Sequence, residues 1–186
     1  AYLNRVQKTS DGGYIAVGYV TGYDPDGAGA EIDYAPISYT DANGDPQTDV
    51  ISSPLIVKFD ASGNHLWHRV FRYYTGVSLN PATERIYNDA SFSDVIETTD
   101  GYIAVGQYDV NQHRSATNSD GDDATPTDAF VLKTDLSGNI SYHKQYDAVS
   151  SSTSQTSKNL AAINKTSTGL PIAAGSDNGK EWIIKF

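Results

Sequence analysis

Glu97-Thr-Thr-Asp-Gly-Tyr-Ile-Ala-Val-Gly106 repeats, almost letter for letter, the earlier stretch Lys8-Thr-Ser-Asp-Gly-Gly-Tyr-Ile-Ala-Val-Gly18. A fainter third copy is Lys165-Thr-Ser-Thr-Gly-Leu-Pro-Ile-Ala-Ala-Gly175. Self-similarity of this kind marks a repeat architecture, in which each copy is one supersecondary unit. Within a copy, β-branched and aromatic residues cluster in a short run bounded by Asp-Gly turn signals, as a strand requires, and no helical face is present. Asp11-Gly12-Gly13 and Asp100-Gly101 supply positive φ at low cost. Each therefore joins an earlier short strand, at about Leu3 to Lys8 or Phe92 to Glu97, to the Tyr-Ile strand as a tight hairpin. These are strands A and B, and Gly18, Gly106 and Gly175 are expected to close the B strands.

A second unit follows. Pro54-Leu-Ile-Val-Lys-Phe-Asp-Ala-Ser-Gly-Asn-His-Leu-Trp-His-Arg-Val-Phe71 aligns without a gap on Ala129-Phe-Val-Leu-Lys-Thr-Asp-Leu-Ser-Gly-Asn-Ile-Ser-Tyr-His-Lys-Gln-Tyr146. Lys58 falls on Lys133, Asp60 on Asp135, Trp67 on Tyr142 and His68 on His143. The Asp-x-Ser-Gly-Asn core is turn chemistry, since Gly and Asn tolerate the left-handed region and Asp bonds its own backbone. Strands C and D thus form another hairpin. The third copy supplies only Glu181-Trp-Ile-Ile-Lys-Phe186, the counterpart of Pro54 to Phe59.

The order A-B-C-D, A-B-C-D, A-B-C predicts an all-β chain of antiparallel four-stranded repeats. It resembles the blades of β-propellers, and specifically a bacterial and archaeal family of secreted tandem-repeat proteins. Their repeats read as Asp-Gly-Gly-Tyr-Ile-apolar-apolar-Gly, a variable gap, then apolar-apolar-Lys-apolar-Asp-x-x-Gly-Asn-apolar-x-Trp. The third copy departs from this pattern in lacking the Asp, the Tyr and strand D. The resemblance implies one β-propeller-like repeat domain over residues 1–186, with a first blade at about 1–74, a second at about 92–147 and an incomplete third at about 159–186. The other architecture open to duplicated hairpins is a β-sandwich. Two full blades and part of a third cannot close a ring, because propellers need about four, and uncapped repeat ends expose apolar faces. The chain is accordingly a fragment of a longer propeller, or copies of it associate, or its sheets pack face to face. An open edge on the strand from Glu181 to Phe186 should be paired, either with the N-terminal segment Ala1 to Asn4 or with a strand from another molecule.

Composition narrows the partners. With 13 Lys+Arg against 23 Asp+Glu the net charge is -10, so nucleic acid and anionic membranes are repelled as a whole. No apolar run reaches the length of about 18 residues that spans a bilayer, and no leader opens the chain, which is expected to be soluble, without membrane insertion. The absence of Met marks a processed chain or a piece of a longer one, and the absence of Cys excludes disulfides and thiolate metal sites. Abundant Tyr, Ser, Thr, Asn, Asp and Gly match an extracellular or cell-surface location.

The turns A–B and C–D are short, whereas the B–C connections are unequal: long from Gly18 to Lys58, shorter from Gly106 to Lys133 and shortest from Gly175 to Lys185. In an up-and-down blade these and the D–A connections emerge together, so all length variation lies on one face, where repeat proteins place binding. Asp41-Ala-Asn43-Gly-Asp45 presents oxygen ligands at alternate positions, as a calcium loop does, although an early Gly and a missing closing Glu separate it from an EF-hand. Asp120 and Asp122 form a second acidic cluster, with Asn118, Asp123 and Asp128 beside them; solvated acidic turns are the other reading of both. Tyr23, Tyr34, Tyr39, Tyr73 and Tyr74 offer aromatic faces for a glycan or a protein surface, or staple the loops to the sheet. Trp67 and Tyr142 read as packing between blades. His65 and His113 read as isolated surface residues, and His68 and His143 lie in different copies. No nucleophile elbow or phosphate loop is present. Two functions follow: a non-enzymatic repeat domain that binds a protein partner or further copies of itself, by strand pairing or through the long-loop face, or a glycan-active enzyme or carbohydrate-binding module using the acidic, Tyr-rich loops. Calcium is the one cofactor that the composition suggests.

Overall fold

The computed structural model describes residues 1–21, 37–40, 46–49, 52–71, 90–109, 127–146 and 157–186, with 37–40 and 46–49 described as backbone. Every regular element among them is a strand. The first sheet has the order β1 (Tyr2–Lys8), β2 (Tyr14–Thr21), β5 (Ser52–Phe59), β6 (His65–Val70). The second runs β7 (Ala90–Thr98), β8 (Gly101–Asp109), β9 (Thr127–Thr134), β10 (Ile140–Tyr146), and the third β11 (Lys158–Lys165), β12 (Pro171–Asp177), β13 (Lys180–Lys185). All pairs are antiparallel, the first two sheets share one strand order, and none is rolled into a barrel. A further hairpin, β3 (Ile37–Thr40) with β4 (Pro46–Asp49), lies within the first B–C connection, where the sequence suggests only a loop.

The sheets stack face to face in one sense. Strand pleating puts alternate residues on opposite faces. Ile15, Val17 and Ile56 of the first sheet meet Phe92, Val95, Tyr102, Ala104, Phe130 and Leu132 of the second in one core. The other face of the second sheet, with Ile96, Ile103, Val105 and Val131, meets Leu160, Ile163 and Ala173 of the third. Burial on both faces is why β8 and β9 read as continuous apolar runs rather than alternating ones. Each A strand does the joining: β7 packs across β1, β2 and β5, and β11 across β7, β8 and β9. A two-layer sandwich buries one face per sheet, so the arrangement is propeller-like. Each fully buried Ile, Leu, Val or Phe side chain here contributes about 1.5–3 kcal/mol.

The motif glycines have a different role from strand closure. Gly18, Gly106 and Gly175 lie inside β2, β8 and β12. Each faces an irregularity in the neighbouring A strand, between Leu3 and Arg5, Phe92 and Asp94, or Leu160 and Ala162. That bulge drives a carbonyl across the B strand, so a Cβ at these glycines would stand 2.0 Å from Tyr2 O, 2.0 Å from Ser91 O and 1.9 Å from Asn159 O. Only glycine fits. The N-terminal segment does not close the far edge, since Tyr2 and Leu3 pair with Tyr19 and Gly18 of β2. Among the described residues β13 has β12 as its one strand partner.

Candidate functional site

The two ends of the stack differ in chemistry. At the tight-turn end the polar residues of the repeat are engaged in structure. Lys58 has a side chain only 4 % exposed, with Nζ 2.9 Å from Asp11 Oδ2, and it donates to Thr9 Oγ1 at 3.1 Å and to Phe59 O at 3.0 Å. Hydrogen bonds from Thr9, Lys58 and the Gly13 N–H hold the Asp11 carboxyl well below the usual range. The second sheet repeats the clamp: Lys133 Nζ lies 2.7 Å from Asp100 Oδ2, and Thr98 donates to Asp100 Oδ1 at 2.9 Å. In the third copy Thr168 replaces the aspartate, so only Thr166 and Thr168 meet, at 2.9 Å.

The C–D turns are also duplicates. Asp60 Oδ1 accepts the N–H groups of Ser62 and Asn64, each at 2.8 Å, and its Oδ2 accepts from Asn64 Nδ2 at 2.8 Å. Asp135 makes the same bonds with Ser137 and Asn139 at 2.8, 2.9 and 2.8 Å. The side-chain bond from the asparagine, reinforced by its backbone N–H, lowers both carboxyl pKa values. A positive φ of 85° at Gly63 and again at Gly138 completes each turn. Tyr102 is no acid or base near neutrality, because burial, with Glu97 and Asp11 adding negative charge, pushes its hydroxyl up to about 12.

At the opposite end the strands open into the connections. Thr21 pairs with Ser52 and Asp109 with Thr127, so the chain segments 22–51 and 110–126 leave and return through one strand pair each. At the same end Asp177 pairs with Lys180 across Asn178 and Gly179, whose φ values of 52° and 75° belong to a two-residue hairpin turn. The D–A connections 72–89 and 147–156 leave from this end too, as the antiparallel order requires. The base is built firmly. Tyr108, 2 % exposed, donates its hydroxyl to Asp128 Oδ2 at 3.0 Å across β8 and β9. Asp128, grouped from sequence with the second acidic loop, is therefore a buried strand residue and not part of an exposed ligand cluster. Tyr2 and Tyr19 stack with ring centroids 5.0 Å apart, and Tyr2 is 59 % exposed. In the third sheet Lys158 Nζ lies 3.7 Å from Asp177 Oδ2 and 5.8 Å from the Trp182 ring centroid, while Trp182 meets Tyr146 edge to face at 5.2 Å.

Tyr23, Tyr34, Tyr73, Tyr74, Asp41, Asn43, Asp45, Asp120 and Asp122 lie outside the described residues. Tyr39 belongs to β3, where its backbone pairs with Gln47. Residues 41–45 thus link β3 to β4. Trp67 packs against the first core, 6.1 Å from the Tyr102 ring, as expected of an inter-blade residue, but its counterpart Tyr142 is 47 % exposed. His65 is not isolated: its Nε2 lies 3.1 Å from His68 Nδ1. No group of three or more His, Asp or Glu among the described residues is placed to share a metal ion. The stacked Tyr2–Tyr19 pair escapes a reading by loops because it lies on strands; the signal for it is two tyrosines placed opposite each other by the A–B register. No family model matches the chain, and no curated protein matches it significantly.

Proposed function

We propose that the chain is a non-enzymatic, extracellular or cell-surface recognition module of the secreted tandem-repeat, propeller-like type, which binds through the end of the stack that carries the long connections. One observation carries this reading: the unequal connections all leave from one end, while the residues that recur between copies are engaged in turns and clamps at the other. A rigid scaffold with variable loops at one end is the usual platform for binding. Tyr23, Tyr34, Tyr39, Tyr73 and Tyr74 supply aromatic faces to a glycan or protein partner, and Asp41, Asn43 and Asp45, with Asp120 and Asp122, supply oxygen ligands for calcium. The outer edge of β13 accepts a strand from a protein partner or from another copy.

The third repeat supplies the test, because it joins its B and C strands through Asn178-Gly179 alone. Residues 22–51 or 110–126 are replaced by Asn-Gly, and each chain is applied to an array of surface glycans and extracellular proteins. The expected result is an unchanged far-ultraviolet circular dichroism spectrum with loss of the array signal given by the intact chain. Loss of folding in both replacements, or an unchanged array signal, would contradict the proposal.

A further inference from the structure

The interface between sheets is made twice among the described residues, and each half of it recurs once more on an exposed surface. In both internal contacts the A strand lays a pair of apolar residues flanking its bulge on the back of the preceding sheet. Phe92 and Val95 are each 0 % exposed, and Leu160 and Ile163 are 0 % and 4 % exposed. The pair in the same register on β1 is Leu3 and Val6, and these are 51 % and 60 % exposed. The receiving surface also repeats: Ile15, Val17 and Ile56 on the first sheet, then Ile103, Val105 and Val131 on the second, all buried. The matching residues on the third sheet are Ile172, Ala174 and Ile183, with Ala174 exposed and Ile183 exposed by 66 %.

We propose that a second copy of this chain occupies both surfaces: Leu3 and Val6 of one copy seat on Ala174 and Ile183 of the other, and reciprocally. The occupant is named by continuity, since the chain already makes this contact twice with its own sheets. The two faces are different patches, so the contact is head-to-tail, and such contacts close into a ring when the rotation allows. The described residues form three stacked sheets of three or four strands, so two copies of residues 1–186 bring six to one ring, inside the range of about four to eight blades that propellers use. A third copy falls outside it, so this stretch of residues 1–186, by itself, closes as a dimer. The position of Asp94 is taken by Ala162 on β11, so the charged link that Arg5 makes inside the chain has no counterpart at this contact.

The test is sedimentation velocity of the chain across a range of concentrations, alone and as Val6→Glu and Ile183→Glu. The expected result is a species of twice the 20.0 kDa chain mass that does not grow further. Each substitution weakens it by about tenfold or more, and mixing the two variants recovers part of the dimer through the one intact contact. Circular dichroism reports folding, and Leu3→Glu with Ala174→Glu replaces the first pair if either fails to fold. A monomer at every concentration, open-ended growth, association untouched by both substitutions, or association weakened by only one of them, as a contact between like faces would give, overturns the proposal.

Discussion

Arg5 on β1 and Asp94 on β7 form an ion pair between the first and second sheets, with Nε 3.2 Å from Oδ1. The same carboxylate, 6 % exposed, accepts the Val95 N–H at 2.9 Å and, from the third sheet, the Ile163 N–H at 3.0 Å. One side chain thus touches all three sheets at the bulge of the middle A strand. Asp94→Ala should lower the unfolding free energy by about 2–6 kcal/mol, because two buried donors lose their acceptor at about 1–3 kcal/mol each. Arg5→Ala should cost under about 1 kcal/mol, since its side chain is 55 % exposed. Urea denaturation measures both; equal costs would show that the ion pair, not the backbone bonds, carries the link.

Gly106→Ala should destabilise by about 3 kcal/mol or more, because the added methyl would sit 2.0 Å from Ser91 O and the bulge must move. Gly63→Ala should cost only about 1–2 kcal/mol, the strain of an L residue at a φ of 85° with open space around it. Thermal melts separate the two, and a smaller loss at position 106 would refute the account of the motif glycine.

The strands and turns of the repeat were legible because their signals are local: Tyr-Ile-Ala-Val carries its own strand propensity, and Asp60 to Asn64 holds its own turn. The β3–β4 hairpin was not, because Ile37-Ser-Tyr-Thr40 and Pro46-Gln-Thr-Asp49 are only four residues each and the second shows no apolar alternation. Asp94 and Asp128 look like any acidic residues in sequence; their burial depends on what other sheets and the opposing Tyr108 place around them. Gly18 reads as a strand end in sequence but lies inside β2, because the bulge that requires it belongs to another strand. Of Tyr23, Tyr34, Tyr39, Tyr73 and Tyr74 and of the candidate calcium ligands Asp41, Asn43, Asp45, Asp120 and Asp122, only Tyr39 falls on a described element, and there only as backbone.

The clamp at Lys58 gives a pH dependence. The Asp11 carboxyl is held below its ordinary value, so its stabilising contribution is fully present above the unfolded pKa of about 3.9 and is lost as pH falls through the lower folded value. Asp11→Asn should therefore lower the melting temperature at pH 7 and have a shrinking effect as the pH falls below about 3.9. Melts from pH 7 to pH 2 check the sign, and a difference that widens with acid would contradict it.

Calcium bound to the folded chain alone by Asp41, Asn43 and Asp45, or by Asp120 and Asp122, would stabilise the fold by mass action. Calorimetry should show a lower melting temperature with chelator than with added calcium. An unchanged melting temperature would remove calcium from the account.

The second sheet belongs to two cores at once, so that three repeats form one cooperative stack. The chain's two tryptophans report on those cores separately: Trp67 packs on the core between the first two sheets and Trp182 on the core between the last two. Urea unfolding of Trp67→Phe and Trp182→Phe, each followed by the remaining tryptophan's fluorescence and by far-ultraviolet circular dichroism, tests the claim directly. The account predicts that the fluorescence and dichroism transitions coincide in both variants. A tryptophan transition that separates from the dichroism in either variant would contradict a single shared stack.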